Sequence, residues 1–218
     1  MLYDGKESLM YRPKLRSGID KLFRRYPDQE PFWDAVIRKY PEWKPEEQIG
    51  WTEQVEPLSD DVGRLQSLIS VSVHTRDTVL TTAIHAPFFA VKTHNVHIYD
   101  MSPIQLQQSL KRFPDVKSSW FCDVFHPPML REIMSETHPT VLYLSNIPDY
   151  GTHEQRARLF QELHDMPYLR EILCSTLCTW GDPLSLISEY LAELSTTVGY
   201  SCQEYPVNKK HSLFRFTR

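Results

Sequence analysis

From Asp77 onward, short apolar runs of strand length alternate with segments of helical length and period. The apolar runs lie at 78–84, 96–100, 119–123 and 140–145, and the helical segments lie at 103–113, 127–137 and 152–163. Strands that are apolar almost throughout are typical of a parallel sheet covered on both faces, and parallel strands need crossover connections, usually helices. The alternation therefore predicts an α/β fold with a doubly wound, mostly parallel sheet.

The two ends of the chain differ in how they extend this pattern. After residue 163 the sequence predicts a strand over 173–179, a helix over 183–196 and a closing hairpin-like pair over 200–205 and 212–216. Residues 1–58 instead hold six prolines and short amphipathic pieces, which predict short helices joined by tight breaks. We expect an N-terminal helical lid over 1–58 and one α/β domain over 59–218, opened by a helix that the cap-like Ser59 begins.

Charge and composition argue against several classes of function. A formal net charge of -4 and a pI near 6.1 give no basic excess to neutralise phosphates, so we expect a small-molecule substrate and no nucleic acid. No run of eighteen apolar residues is present, so we expect no membrane partner. Four cysteines without zinc-site spacing predict a cytoplasmic protein that has no disulfide framework and no metal.

Three successive predicted strands end in polar residues. Asp100 ends the second strand, Asp123 ends the third, and the loop Ser-Asn-Ile-Pro-Asp-Tyr-Gly over 145–151 follows the fourth. In open α/β sheets, ligands bind outside the carboxyl ends of the strands, where the strand order reverses. We therefore expect the three loops to converge on one ligand site, although a lone acid at a strand end also occurs in structural turns and helix caps.

This series of polar strand ends resembles the class I S-adenosylmethionine-dependent methyltransferase fold, over residues 77–218. In that fold an acid after the second strand holds the ribose, an Asp after the third reaches the adenine, and the loop after the fourth faces the sulfonium. The resemblance implies a Rossmann-like sheet that binds S-adenosyl-L-methionine as substrate or donor. The cofactor-binding residues that it implies are Thr82, His85, Asp100, Met101, Gln105, Asp123, Val124 and Ser145.

The turn after the first strand departs from the pattern of that family. Its members usually carry glycines there, which allow the backbone to approach the ligand closely, whereas this chain reads Leu-Thr-Thr-Ala-Ile-His-Ala-Pro over 80–87. The small Thr81, Thr82, Ala83 and Ala86 leave room in place of glycine. A degenerate, non-catalytic binding domain of the same fold is therefore one open interpretation.

Two short motifs are similar to those of a narrower branch that uses the other arm of the cofactor. Tyr-Asp-Met-Ser-Pro-Ile-Gln over 99–105 and Leu-Ser-Asn-Ile-Pro-Asp-Tyr over 144–150 resemble stretches of betaine-lipid-type aminocarboxypropyltransferases, nicotianamine synthases and azetidine-2-carboxylate synthases. In that branch an Asp-x-Asn-Pro-x-Gln follows strand two, and here Ser102 replaces the Asn. The likeness implies transfer of the 3-amino-3-carboxypropyl arm, or its cyclisation to azetidine-2-carboxylate, with release of 5′-methylthioadenosine.

The resemblance places the chemistry in the loop after the fourth strand. An attacking amine must first lose its proton, which a carboxylate, phenol or imidazole can accept. Asp149, Tyr150 and His85 are the candidate acceptors, and Asn146 is the candidate that holds the amine or carboxylate of the arm. The same loop is similar to the Asn-Pro-Pro-Tyr loop of amino-group methyltransferases, although Ile147 and Asp149 interrupt that pattern. Methyl transfer to a small molecule or amino group is therefore the alternative.

Overall fold

The computed structural model describes residues 59–100, 103–145, 153–177, 191–193, 195–208 and 211–218. Its elements, in chain order, are α1 (Ser59–Ser72), β1 (Val79–Thr82), a 3-10 helix (Ala83–His85), α2 (Ala86–Ala90), β2 (Val96–Asp100), α3 (Pro103–Arg112), β3 (Ser118–Phe121), α4 (Pro127–Thr137), β4 (Val141–Ser145), α5 (His153–His164), β5 (Glu171–Leu177), β6 (Ser201–Asn208) and β7 (His211–Thr217). Residues 191–193 and 195–198 are also helical. In this part of the chain, none of the helices has the length and apolar character needed to cross a membrane.

The strands form one seven-stranded sheet in the order β3-β2-β1-β4-β5-β7-β6. Strands β1 to β5 pair in parallel, whereas β7 runs antiparallel to both of its neighbours, β5 and β6. The chain winds outward from β1 through β2 to β3, and then returns to add β4 and β5 on the other side of β1. The predicted doubly wound, mostly parallel sheet is therefore confirmed, and the order reverses between β1 and β4, which we call the switch point.

Two apolar cores cover the two faces of the sheet, and β4 contributes to both. Four successive residues of this strand, Val141, Leu142, Tyr143 and Leu144, are each 0% exposed. Alternate side chains of a strand point to opposite faces, so Leu142 and Leu144 enter the core under α4 and α5, and Val141 and Tyr143 enter the core under α1 and α2. Burial on both sides explains why the parallel strands of this sequence are apolar almost throughout.

β1 ends earlier than the sequence predicts. The apolar run over 78–84 was expected to be a single strand, but residues Ala83–His85 form a 3-10 helix that continues into α2. A short apolar run does not distinguish a strand from a buried helical turn. Here Pro87 lies in the first turn of α2, and Ala83 (0% exposed) and Ala86 (1%) pack with Phe89 into the core on the α1 side. The turn after β1 is therefore helical rather than extended.

An ion-pair network joins the amino ends of β1, β4 and β5, at the edge opposite the switch-point turns. Asp77, which precedes β1, accepts hydrogen bonds from the Thr140 hydroxyl and the Arg170 guanidinium, both at 2.8 Å. Glu171 begins β5, is 0% exposed, and accepts from Arg170 and Arg215, also at 2.8 Å. The hydrogen bond to Glu171 is the main cause that raises the pKa of Arg215 above its ordinary value. These hydrogen bonds tie the amino ends of β1, β4 and β5 together, and they thereby stabilise the register of these strands.

Candidate functional site

The carboxyl ends of β1 and β4 lie side by side at the switch point, because Thr81 is in register with Tyr143. In open α/β sheets the ligand crevice opens at this position. Polar residues of five neighbouring segments reach the same edge: the turn after β1, the ends of β2 and β4, the turn after β3, and β5. They include Thr82, His85, Asp100, Asp123, Ser145 and Ser175. The strand order thus brings the ends of these segments to one edge of the sheet, and residues 146–151 of the loop after β4 lie outside the described residues.

A side-chain hydrogen bond holds the turn after β1. The Thr82 hydroxyl lies 2.9 Å from Nδ1 of His85, and the two residues are only 9% and 6% exposed. The imidazole of His85 also stacks on Phe88, with ring centroids 5.6 Å apart, and it lies 5.1 Å from the ring of Tyr143. His85 is therefore held at the switch point by contacts with both β1 and β4.

The same turn adopts its conformation without glycine. His85 has φ -99° and ψ 1°, and Thr82 has φ -57° and ψ 145°, so neither residue adopts the positive φ that favours glycine. Positive φ angles occur, among the described residues, at His138 and Gly199 and not in this turn. The departure from the glycine-rich pattern of the family therefore causes no backbone strain, and it bears only on how closely a ligand approaches the turn.

Asp100 is the last residue of β2 and is half-buried. Its carbonyl accepts a hydrogen bond of 3.0 Å from the amide of Cys122, which ties the end of β2 to the residue after β3. Gln105 lies in the first turn of α3 and is also half-buried. Met101 lies outside the described residues. The structure thus places the Asp100 carboxylate one strand away from the switch point.

Asp123 and Val124 form the turn after β3. An Asp123 carboxylate oxygen accepts from the amide of Phe125 at 2.9 Å, a local hydrogen bond typical of Asp in turns. Asp123 is half-buried, whereas Val124 is 2% exposed and packs in the core with Tyr99 and Cys122. Asp123 therefore has a structural role in this turn in addition to any binding role. The side chain of Val124 is buried in the core beneath the turn.

Three hydroxyl groups meet at the carboxyl ends of β4 and β5. The hydroxyl of Tyr143 donates to Oγ of Ser175 at 2.9 Å, and Ser145 is directly opposite Ser175 in the β4–β5 register. Burial is the main cause that raises the pKa of Tyr143 well above its usual range, and hydrogen bonds with Ser175 and Ser145 oppose that rise. We call Tyr143, Ser145 and Ser175 the hydroxyl trio.

Sequence reasoning missed two members of the hydroxyl trio. Tyr143 lies inside the apolar run over 140–145, which predicts only a strand, and Ser175 lies inside the predicted strand over 173–179. A serine in a run of buried strand residues was the available signal, because a buried hydroxyl needs a hydrogen-bond partner. Its partner was not readable, since the contact depends on the pairing of β4 with β5.

The predicted catalytic residues Asn146, Asp149 and Tyr150 lie outside the described residues, as does the predicted lid over 1–58. These assignments stay predictions. Within the described ranges, no group of three or more His, Cys, Asp or Glu side chains is arranged to hold a metal ion.

No family model matches the chain, and no curated protein matches its sequence. Magnesium protoporphyrin IX methyltransferase from Synechocystis, solved with bound S-adenosylmethionine, is similar in structure with a TM-score of 0.58 and 10% identity, over 88% of this chain and 97% of that one. A TehB-like S-adenosylmethionine-dependent methyltransferase from Corynebacterium glutamicum gives 0.53 and 14%, over 71% and 87%.

Human N-acetylserotonin methyltransferase, in complex with S-adenosylmethionine, is also similar, with a TM-score of 0.53 and 10% identity over 96% of this chain and 68% of that one. At identities this low, structural similarity establishes the fold alone, and a shared fold does not by itself establish a shared activity. Together with the strand order, these likenesses show that the chain has the Rossmann-like fold of class I S-adenosylmethionine-dependent methyltransferases.

Proposed function

We propose that this chain with a class I methyltransferase fold binds S-adenosylmethionine at the switch point and is an S-adenosylmethionine-dependent transferase or cyclase. The observation that carries the proposal is the half-buried Asp100 at the end of β2, one strand away from the switch point. A carboxylate there is suited to accept hydrogen bonds from both hydroxyls of a ribose. The similar structures from Synechocystis and human were solved with this ligand bound, which supports the choice of nucleoside.

The residue types around the switch point fit such a ligand. Asp100 would accept from the ribose, and Asp123 would accept from the adenine amino group. Ala83 and Ala86 direct their side chains into the core, so the polar groups that the β1 turn offers are Thr82, His85 and backbone amides. A turn of this kind accommodates a polar ligand group without the close backbone approach that glycine gives.

The finer proposal concerns which bond of the ligand breaks. S-adenosylmethionine supplies a sulfonium: attack at its methyl leaves S-adenosylhomocysteine, and attack at its aminocarboxypropyl arm leaves 5′-methylthioadenosine. The motifs over 99–105 and 144–150 favour the arm, with transfer to a small acceptor or cyclisation to azetidine-2-carboxylate. In this scheme Asn146 orients the amine or carboxylate of the arm, and Asp149, Tyr150 or His85 accepts the proton of the attacking amine.

Methyl transfer is the second candidate, and the activities of the proteins with similar structures favour it. Magnesium protoporphyrin IX and N-acetylserotonin are small molecules, and both proteins are named as their methyltransferases. The fold is common to both candidates, so the choice between them depends on the loop after β4.

Product analysis separates these candidates. The full-length protein is incubated with S-adenosylmethionine, alone and with amine, thiol or nucleobase acceptors, and the remaining nucleoside is identified by mass spectrometry. Release of 5′-methylthioadenosine without an acceptor supports the cyclase, and acceptor-dependent release supports aminocarboxypropyl transfer. We expect Asn146→Ala and Tyr150→Phe each to slow the release by about 10²–10⁴-fold. S-adenosylhomocysteine as product would instead support methyl transfer, and absence of both nucleosides would leave a non-catalytic binding domain.

A further inference from the structure

Tyr143 is a fully buried phenol whose hydroxyl lies at the carboxyl edge of the sheet. Tyr143 and its acceptor Ser175 are 0% and 1% exposed, and the hydrogen bond between them is 2.9 Å long. Two other tyrosines donate to backbone carbonyls instead of a side chain: Tyr99 donates to the carbonyl of Tyr143 at 2.9 Å, and Tyr168 donates to the carbonyl of Met134 at 2.8 Å. A carbonyl ends a chain of hydrogen bonds, whereas a serine hydroxyl carries a hydrogen of its own and extends the chain.

The chain of hydroxyls leads from the core toward the crevice. Ser175 accepts from Tyr143, so its own hydrogen is directed to another acceptor. Ser145 is directly opposite Ser175 in the sheet and lies on the same face of β4 as Tyr143, so its side chain is the neighbour of the Ser175 hydroxyl. Ser145 is half-buried and is the last residue of β4, so it is the most exposed member of the hydroxyl trio. The trio therefore fixes the orientation of one hydroxyl at the switch point.

The trio is also in contact with the opposite side of the switch point. The ring of Tyr143 lies 5.1 Å from the imidazole of His85, and Thr82 holds that imidazole through Nδ1. Since burial raises the pKa of Tyr143 well above its ordinary value, its phenol stays neutral. The trio thus presents neutral hydroxyl groups rather than a charge.

We infer that Tyr143 is a positioning residue for the amino-acid arm of the ligand, acting through Ser145. A neutral hydroxyl suits a zwitterionic arm, because it accepts from an ammonium and donates to a carboxylate. The inference rests on the proposed binding of S-adenosylmethionine and adds Tyr143 and Ser175 to the residues that select the ligand. A nucleoside without the arm does not use this contact.

Two nucleosides that differ by the arm test this inference. S-adenosylhomocysteine carries the arm, and 5′-methylthioadenosine has a methyl group in its place. Calorimetry on the full-length protein should show that Tyr143→Phe raises the Kd for S-adenosylhomocysteine by about 5- to 10-fold, the loss of one oriented hydrogen bond, and leaves the Kd for 5′-methylthioadenosine within about 2-fold. Ser145→Ala should give the same selective loss, and the double variant should lose no more, because both changes remove one contact.

Ser175→Ala is the second variant, and it keeps the test open if Tyr143→Phe does not fold. Because it removes the acceptor of the Tyr143 hydroxyl, it should also raise the Kd for S-adenosylhomocysteine and leave that for 5′-methylthioadenosine unchanged. Tyr168→Phe is the matched control, since it deletes a phenol hydroxyl bonded to a carbonyl away from the switch point, and it should change neither Kd. Equal weakening of both nucleosides, or no weakening of either by a folded variant, overturns the inference. A wild-type protein that binds neither nucleoside overturns the proposed function, and this inference with it.

Discussion

Glu171 is the most deeply buried carboxylate of the described ion pairs, and its replacement tests the network at the amino ends of the strands. The side chain is 0% exposed and accepts three hydrogen bonds, one from Arg170 at 2.8 Å and two from Arg215 at 2.8 and 3.2 Å. Glu171→Gln keeps the shape but removes the charge, and it turns an NH₂ group toward one of the guanidinium donors.

The expected loss follows from these contacts. Breaking a buried ion pair by removing one partner costs about 3–5 kcal/mol. Arg170 and Arg215 have 39% and 29% of their side chains exposed, so water compensates part of the loss, and Arg170 keeps its contact with Asp77. We therefore expect Glu171→Gln to lower the free energy of unfolding by about 2–4 kcal/mol.

Glu162→Gln is the matched control for this substitution. Glu162 also pairs with an arginine through both oxygens, and Nε of Arg131 donates to it at 2.6 Å, but the Arg131 side chain is 61% exposed. Pairs at the surface contribute about 0–1 kcal/mol. Urea unfolding followed by circular dichroism gives both free energies. A Glu171→Gln loss no larger than that of Glu162→Gln would refute the assigned role of the network.

Two further predictions follow from groups whose pKa is shifted by burial. Burial raises the pKa of Cys122 to about 12 and that of Cys202 to about 11, so we expect both thiols to react with iodoacetamide at pH 8 far more slowly in the native than in the urea-unfolded protein; equal labelling in the two states, measured by mass spectrometry, would contradict this. Burial and then Lys117 lower the pKa of His97 below 6.5, so its neutral form is favoured by folding; that stability is present above pH 6.5 and is lost as the pH falls toward the folded pKa. The urea midpoint should therefore fall between pH 7.5 and 5 by less in His97→Gln than in wild type, and identical falls would show that His97 is not the source.

The sequence predicts the individual helices and strands of this fold better than it predicts which of them pair with one another and which side chains meet. The strand over 96–100 and the helix over 127–137 have the predicted bounds, because an apolar run ending on Asp and a proline at the start of a helix are local signals. Glu171 shows the limit: the sequence predicts a strand over 173–179, yet β5 begins at Glu171, which is buried and pairs with Arg215 of β7. No local signal reports a partner 44 residues away.

The candidate site shows the same division. Asp100 and Ser145 lie at strand ends, as the polar residues after apolar runs predict. The role of Tyr143 was not predictable, because it depends on which strand lies beside β4 and on the register of that pair. The turn after β1 was recognised as lacking glycine, but its helical conformation and the Thr82–His85 hydrogen bond appear only in the structure.

The central claim is that Asp100 binds the ribose of S-adenosylmethionine at the switch point, and the most direct measurement is calorimetric titration of the full-length protein with this nucleoside. Wild type should bind, and Asp100→Ala should lose about 1–3 kcal/mol of binding free energy, the contribution of hydrogen bonds to a charged group. The control is Asp115→Ala, which removes an exposed carboxylate from the α3–β3 turn and should leave the affinity unchanged. No heat with wild type, or an Asp100→Ala affinity equal to that of wild type, would contradict the claim.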